Sequence, residues 1–457
     1  MIGRLLDPPG SPALERLDRR VAWGLRNLPA TRVSGVVIEV SMSHYRVAGL
    51  SRFLKLGECV AVDVGDRVQM GEVVRIDDGA ATLKPFDARC DAAIGARAYR
   101  ADGLSLSPAP SWKGRVIDAL GRPLDGAGPL ACGETPAPLD ADPPPPLKRA
   151  RVTKPIRTGV RVVDLFTPLC LGQRIGVFAG SGVGKSSLLA MLARGPQFDT
   201  VVIGLVGERG REVREFLDDA LGEGRASAVA VVSTGDASPM MRRLAPKTAM
   251  AVAEYFRDRG EAVLLILDSV TRFAHAARDV ALAAGEPAVA RGYAPSVFSD
   301  LPRLLERAGP GPMGSGSITG IFSVLVDGDD HNDPVADAVR GALDGHIVLE
   351  RAIADEGRYP AVNVLASVSR LANSVWTAEQ RKLVANMRSL IARYEETREL
   401  RVMGGYTPGA DPILDKAIQS APRIYHAMRQ APDAPRCEDP FIELAAALRG
   451  DSKDTEE

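Results

Sequence analysis

Twelve residues limit what this chain can fold into. "FAGSGVGKSSLL", residues 178–189, places Gly180, Gly182 and Gly184 within five positions. Such a run suits neither the interior of a strand nor that of a helix, because glycine gives up the most conformational freedom in either. Apolar "RIGVFA" precedes it, and Leu188 and Leu189 follow at helical positions. The unit is therefore strand, tight loop, helix. Ala179 opens the pattern Ala/Gly-x4-Gly-Lys-Ser/Thr, which closes on Lys185 and Ser186. In such a loop successive backbone N–H groups turn inward around phosphate oxygens, and the helix start adds its positive dipole end. Ala179, Gly180, Ser181, Gly182, Val183, Gly184, Lys185, Ser186 and Ser187 are read as nucleotide-binding. Lys185 reaches the terminal phosphates, and the Ser186 hydroxyl ligates Mg2+.

The surroundings agree with an α/β chain. "RIGVFAG", "TVVIGLVGE", "SAVAVVSTG", "AVLLILDS", "SITGIFSVLV" and "AVNVLASVS" are apolar on both faces, as central parallel strands are. The segments between them are long enough for crossover helices, so the expectation is a doubly wound parallel sheet. "AVLLILDS" delivers Asp268 at the carboxyl end of its strand, where a carboxylate holds magnesium through water. "LVGERGREV" sets Glu208 and Arg209 after the strand Val201 to Val206, on the edge where ligands bind in such sheets, and Arg209 is read as nucleotide-binding. A carboxylate there can polarise an attacking water, or else Glu208 pairs structurally with Arg209 or Arg211. "RYPAVNVLASVSRL", residues 358–371, reads as a strand with Tyr359 at one end and Arg370 at the other.

The rest of the chain divides by pattern. Ser11-Pro12 opens an amphipathic helix carrying Leu14, Leu17, Val21, Leu25 and Leu28, within residues 1–30. It either packs on its own domain or docks a partner. Residues 31–95 are short apolar runs between glycine turns, which suggests a small β-barrel. The proline-rich "DADPPPPLKRARVTKP" is a connector within a sheet domain spanning 96–373. From 374 to 457 the strand signal gives way to helices: one through Leu383, Met387, Leu390, Ile391 and Tyr394, and two more beginning at Asp411-Pro412 and Asp439-Pro440. A net charge of -1, with 45% hydrophobic and 25% charged residues, requires neither nucleic acid nor a membrane. The five cysteines form no CxxC pair and the histidines no ligand spacing, so they predict reduced thiols and no protein-built zinc site. No stretch reaches the roughly 18–20 apolar residues of a bilayer span. Pro8-Pro9 interrupts any signal-peptide core, so the expected location is cytoplasmic.

Longer motifs carry a family resemblance. "VIDALGRPLDG", "TGVRVVDLFTPLCLGQRIGVFAGSGVGKSSLL", "GLVGERGREV", "LLILDSVTRFAHAARD" and "GYAPSVFSDLPRLLERAG" resemble the ring ATPases related to rotary ATP synthase catalytic subunits. "VDGDDHNDPVADAVRGALDGHIVLERAIADEGRYPAVNVLASVSR" resembles the ATPases of type III protein export, the flagellum-specific group above all. The resemblance implies a RecA-like P-loop domain between an amino-terminal barrel and a helical carboxyl end. It implies Lys185 and Ser186 on phosphate and magnesium, Glu208 as the catalytic carboxylate and Asp268 as the second magnesium residue. Tyr359 would stack on adenine, and Arg370 would be a finger reaching a neighbouring subunit's γ-phosphate. Gly210 stands where synthase catalytic subunits typically have Thr, which favours export over synthesis.

What the resemblance implies, then, is a Mg2+-dependent ATPase forming a homo-hexamer that energises export of flagellar proteins by releasing and unfolding cargo. Its expected partners are a stator-like regulatory protein at the amino-terminal helix, a central stalk-like coiled-coil protein, export-gate proteins and chaperone–cargo complexes. It would bind no specific nucleic acid and meet only the cytoplasmic face of the inner membrane, as a peripheral protein. Rival readings are an injectisome ATPase of virulence secretion, a rotary synthase subunit, a scaffold without turnover and a hexameric RNA translocase. The last wants aromatics on a basic surface, and residues 32–87 offer only Tyr45, Phe53 and Phe86.

Overall fold

A computed structural model of the chain describes residues 33–326 and 333–449, so the helix expected within residues 1–30 lies outside the described residues. The chain forms two compact units, residues up to Pro85 with Arg89–Gly103, and Phe86–Ala88 with Leu104 onward.

The first unit is a closed six-stranded antiparallel barrel. Its strands are β1 (Ser34–Val40), β2 (Tyr45–Ala48), β3 (Cys59–Val64), β4 (Arg67–Ile76), β5 (Ala80–Pro85) and β6 (Arg97–Arg100), ordered β1-β2-β5-β4-β3-β6. Val37, Val47, Val60, Val62, Val73 and Leu83 fill the interior. Tyr45 is buried with them, and its hydroxyl stays satisfied by donating to Gln69 and accepting from the Ala92 N–H at 3.0 Å. Closure leaves no sheet edge open.

The second unit is built on a nine-stranded sheet. Its named strands are β7 (Val116–Asp118), β8 (Arg174–Ala179), β9 (Thr200–Val206), β10 (Ala228–Ser233), β11 (Ala262–Asp268), β12 (Ser317–Leu325), β13 (Gly345–Leu349) and β14 (Val368–Ser369). They lie in the order β14-β13-β8-β12-β11-β9-β10-β7, all parallel except β14. Val177, Ile203, Leu205, Ile266 and Ile321 form the buried centre of this sheet. Five of the six expected strands are present as read. The sixth is not: residues 361–367 are turn and bridge, and only Val368–Ser369 pairs, antiparallel to β13. Asn363 explains this, because its side-chain carbonyl accepts from the Leu365 and Ala366 N–H groups at 3.0 Å each. Those donors are thereby taken from any ladder. The neighbouring strand that does exist, β13, was not anticipated.

Helices α1 (Lys185–Ala193) and α2 (Val270–Ala283) follow β8 and β11. Toward the carboxyl end come α3 (Ala378–Glu396), α4 (Pro412–Met428) and α5 (Pro440–Arg449). Thr377 and Gln380 cap α3 reciprocally at 3.2 and 3.0 Å. Asp411 accepts from the Ile413 and Leu414 N–H groups, and Asp439 from that of Phe441, so each Asp-Pro pair starts its helix as read. Val384, Met387, Ile391, Ile424, Met428 and Leu444 join the sheet's own core. Among the described residues no helix is long and apolar enough to cross a membrane.

Candidate active site

Strand β8 ends in buried Ala179, and the chain then turns through Gly180 to Gly184 into α1. Gly182 and Gly184 have φ of +76° and +85°, a region glycine enters without steric cost. Val183 is buried and anchors the loop from beneath, while Ser181, Gly182, Ser186 and Ser187 are exposed around it. The first-turn N–H groups of α1 thus open beside accessible serine hydroxyls.

At the same sheet edge β9 and β11 bring two carboxylates to Lys185. Its ammonium donates to Asp268 and lies 3.8 Å from Glu208 Oε1. Arg272, on the first turn of α2, reaches Glu208 Oε2 at 3.2 Å and also donates to the Gly207 carbonyl. All three principal side chains are nearly buried: Lys185 keeps 11%, Glu208 12% and Asp268 4% of its side chain exposed. Burial, and then the Asp268 carboxylate, push Glu208 up to about 7 against the pull of Lys185 and Arg272. The shared hydrogen bond with Glu208 holds Glu212 below its usual range. Glu208 Oε1 is buried and accepts no hydrogen bond. A carboxylate oxygen without a hydrogen bond, the Asp268 carboxylate and the Ser186 hydroxyl are hard oxygen donors of the kind magnesium takes, so the residues present fit a magnesium nucleotide.

Tyr359 faces this loop from the other side. A Cβ on Gly184 would stand 3.3 Å from two carbons of its ring. Between them opens a cavity of about 450 Å³, bordered by Gly184, Ser187, Leu188, Met191, Tyr359 and Pro360 and closed by Arg429 to Pro432. Tyr359 is 43% exposed, with an accessible aromatic surface for a planar ligand.

Sequence reasoning missed three contributions. Arg272 shares its helix with Arg278, which looks the same in sequence, and Arg351, whose guanidinium donates to the Ser181 carbonyl at 2.8 Å, opens a five-residue helix that carries no motif. The 429–432 wall comes from beyond α4 and carries no motif. Gln430 fixes it: its N–H donates to the Tyr359 carbonyl at 3.0 Å, its side chain donates to the Gly159 carbonyl at 2.8 Å, and it accepts from the Arg161 N–H at 2.9 Å. The structure does not bring Arg209 into the cluster. Its side chain is 80% exposed and pairs with Glu212 at 3.6 Å. Arg370 also stands apart, exposed after β14, with its backbone N–H on the Asp344 carbonyl. Among the described residues its guanidinium has no partner in this chain.

Comparison with known proteins places the chain. The model of the ATP synthase alpha/beta family, nucleotide-binding domain, matches residues 159–369, and that of the T3SS EscN ATPase C-terminal domain matches 376–442. The chain is 55% identical to the flagellum-specific ATP synthase of Agrobacterium fabrum, covering 91% of this chain and 88% of that one. It is 43% identical to the type 3 secretion system ATPase of Xanthomonas euvesicatoria, over 97% and 99%. Its fold matches the assembled ATPase EscN, solved with its central stalk EscO, from the enteropathogenic E. coli type III secretion system. That match has a TM-score of 0.81 at 40% identity, over 91% of this chain and 100% of that one. With the barrel, the parallel sheet, the phosphate loop and the helical carboxyl end matched together, this chain belongs to the ATP synthase alpha/beta family and, within it, to the ATPases of flagellar and type III secretion.

Proposed function

We propose that this chain hydrolyses magnesium ATP as a homo-hexameric ring and energises the export of flagellar proteins. The observation that carries the reading is the meeting of Lys185, Glu208 and Asp268 at one sheet edge, below a cavity walled by Tyr359. In this reading the phosphate loop cradles the phosphates and Lys185 neutralises their charge. Ser186 and Asp268 hold magnesium, which when bound adds positive charge against the terminal phosphates. Glu208, drawn up to about 7, orients the attacking water and takes its proton. Tyr359 stacks on the base.

The exposed, unengaged Arg370 supports a ring, since a guanidinium placed this way can serve a neighbour's site. The relative solved with its central stalk supports a stalk partner here. Residues 1–30 are proposed to dock the stator-like regulator, and the ring is proposed to work in the cytoplasm against the membrane face that carries the export gate. The flagellar assignment is supported by the higher identity to the flagellum-specific relative than to the secretion ATPase of Xanthomonas.

Two measurements test the reading together. Purified protein should turn over ATP only with Mg2+. Deleting the gene in its source bacterium should stop flagellin export, restored by wild-type protein and not by Lys185→Ala. Normal flagellation with failed injectisome export would move the assignment to virulence secretion, and absence of turnover would remove it altogether.

A further inference from the structure

The residue preceding Tyr359 has a setting that the reaction as read leaves unused. Arg358 is charged yet keeps only 10% of its side chain exposed. Its guanidinium carbon sits over the ring of Tyr425, 3.7 Å from the centroid, and the side chain pairs with Glu356 at 3.5 Å. Tyr425 belongs to α4, and its hydroxyl donates to Glu395 of α3. Burial and that carboxylate push the phenol well above its usual range, so it remains a neutral donor. Glu356 also accepts from Arg398 at 2.8 Å.

Tyr359 itself is half exposed on the cavity side and has no such grip on its ring. Its backbone is held on either side: the Gln430 N–H bonds its own carbonyl, and one residue earlier Arg358 is fixed by its side chain and by its N–H on the Ile353 carbonyl at 3.2 Å. The Gln430 and Tyr425 contacts come from α4 or its immediate continuation. We propose that Arg358 is a positioning residue: its stack on Tyr425 and its pair with Glu356 set where Tyr359 stands opposite Gly184, and so how tightly the cavity grips a nucleotide base. This rests on the reading of Tyr359 as the base-facing residue. Arg358 does not line the cavity, so it acts on binding through its neighbour rather than on the transferred phosphate. Removing the stack lowers the population of the base-facing arrangement of Tyr359, and affinity falls by that fraction, about fivefold to tenfold.

The test uses full-length protein, with binding of a fluorescent adenine nucleotide and steady-state turnover measured in parallel. Arg358→Met should weaken binding and raise KM by about five- to tenfold, with kcat changed less than twofold. Tyr425→Leu should do the same, and Tyr425→Phe, which keeps the ring, should bind as wild type. In a Tyr359→Ala background, Arg358→Met should add nothing, because its lever is gone. If Arg358→Met melts early, Arg358→Lys, which keeps the charge but loses the stack, takes its place with the same expectations. Unchanged binding in Arg358→Met and Tyr425→Leu, or an equal further loss in the Tyr359→Ala background, overturns the inference. A wild type that binds the probe without turnover would sink the hydrolytic reading while leaving the binding arms readable.

Discussion

The ammonium of Lys185 rests on the carboxylate of Asp268, 83 positions later in the chain, and stands 3.8 Å from Glu208. Two carboxylates share this ammonium in a nearly dry place, and Arg272 serves Glu208 alone. Lys185→Ala should therefore remove more than a phosphate contact. It leaves the nearly buried Asp268 carboxylate without its ammonium partner and Glu208 with Arg272 alone, at a stability cost of about 3 kcal/mol. Turnover should fall below detection and the melting temperature should drop in a scan without nucleotide. A variant that melts as wild type would show that the pair carries no structural weight.

Glu208 gives a pH signature. Its pKa is raised from 4.5 to about 7, so turnover should climb as pH rises through 7 and the carboxylate ionises. Stability should move the opposite way. Between those values the folded protein keeps a proton that the unfolded chain has released, so this site loses stability as pH increases. Glu208→Gln should bind magnesium ATP, fail to hydrolyse it, and melt above wild type at pH 8 but level with it at pH 4. Calorimetry at the two pH values, with turnover at pH 8, decides this. Near-normal turnover in Glu208→Gln would remove it from catalysis.

Two glycines of one loop should respond differently. A Cβ at Gly182 would meet nothing within 4 Å, whereas one at Gly184 would press on the Tyr359 ring at 3.3 Å. Both positions have positive φ, so either alanine carries strain of about 1 to 2 kcal/mol. Gly184→Ala should lose more nucleotide affinity than Gly182→Ala, and adding Tyr359→Gly should narrow the gap. Equal losses, by titration of a fluorescent nucleotide, would mean that Tyr359 yields freely.

Arg370 is tested by mixing. Arg370→Ala should bind nucleotide normally and lose turnover, roughly a thousandfold for a finger supplied in trans. Lys185→Ala should be equally inactive. Mixed rings would join an intact Lys185 site to an intact neighbouring Arg370, so activity should reappear from the two inactive preparations. Turnover per chain of wild type should also rise with concentration. Failure of both leaves Arg370 as a surface charge.

Much of this was legible in the chain because the physics was local. Glycines at fixed steps mark the phosphate loop, and uninterrupted apolar runs mark strands buried on both faces. The segment after Tyr359 misled for a physical reason. Val362 and Val364 are buried and look like strand residues, but Leu365 and Val368 are 38% and 42% exposed. Asn363 and Ser367 tie the backbone into turns, and a count of apolar residues does not register that competition. Strand β7 is only three residues long and gives no periodicity to read. Arg272, Arg351 and Gln430 owe their places to tertiary packing. Arg351 and Gln430 reach the site from segments distant in sequence, and Arg272, four positions after Asp268, is singled out only by the turn of helix that aims it at Glu208.

The cavity wall at Arg429 to Pro432 has a temporal meaning too. Synthesis runs from the amino terminus at about 5 to 20 residues per second, so the phosphate loop leaves the ribosome roughly ten to fifty seconds before that wall. A nascent or truncated chain ending before residue 429 carries the loop without the Gln430 clamp on Tyr359. With Tyr359 facing the base as proposed, prematurely terminated products lack the bond that sets its backbone and should hold nucleotide poorly.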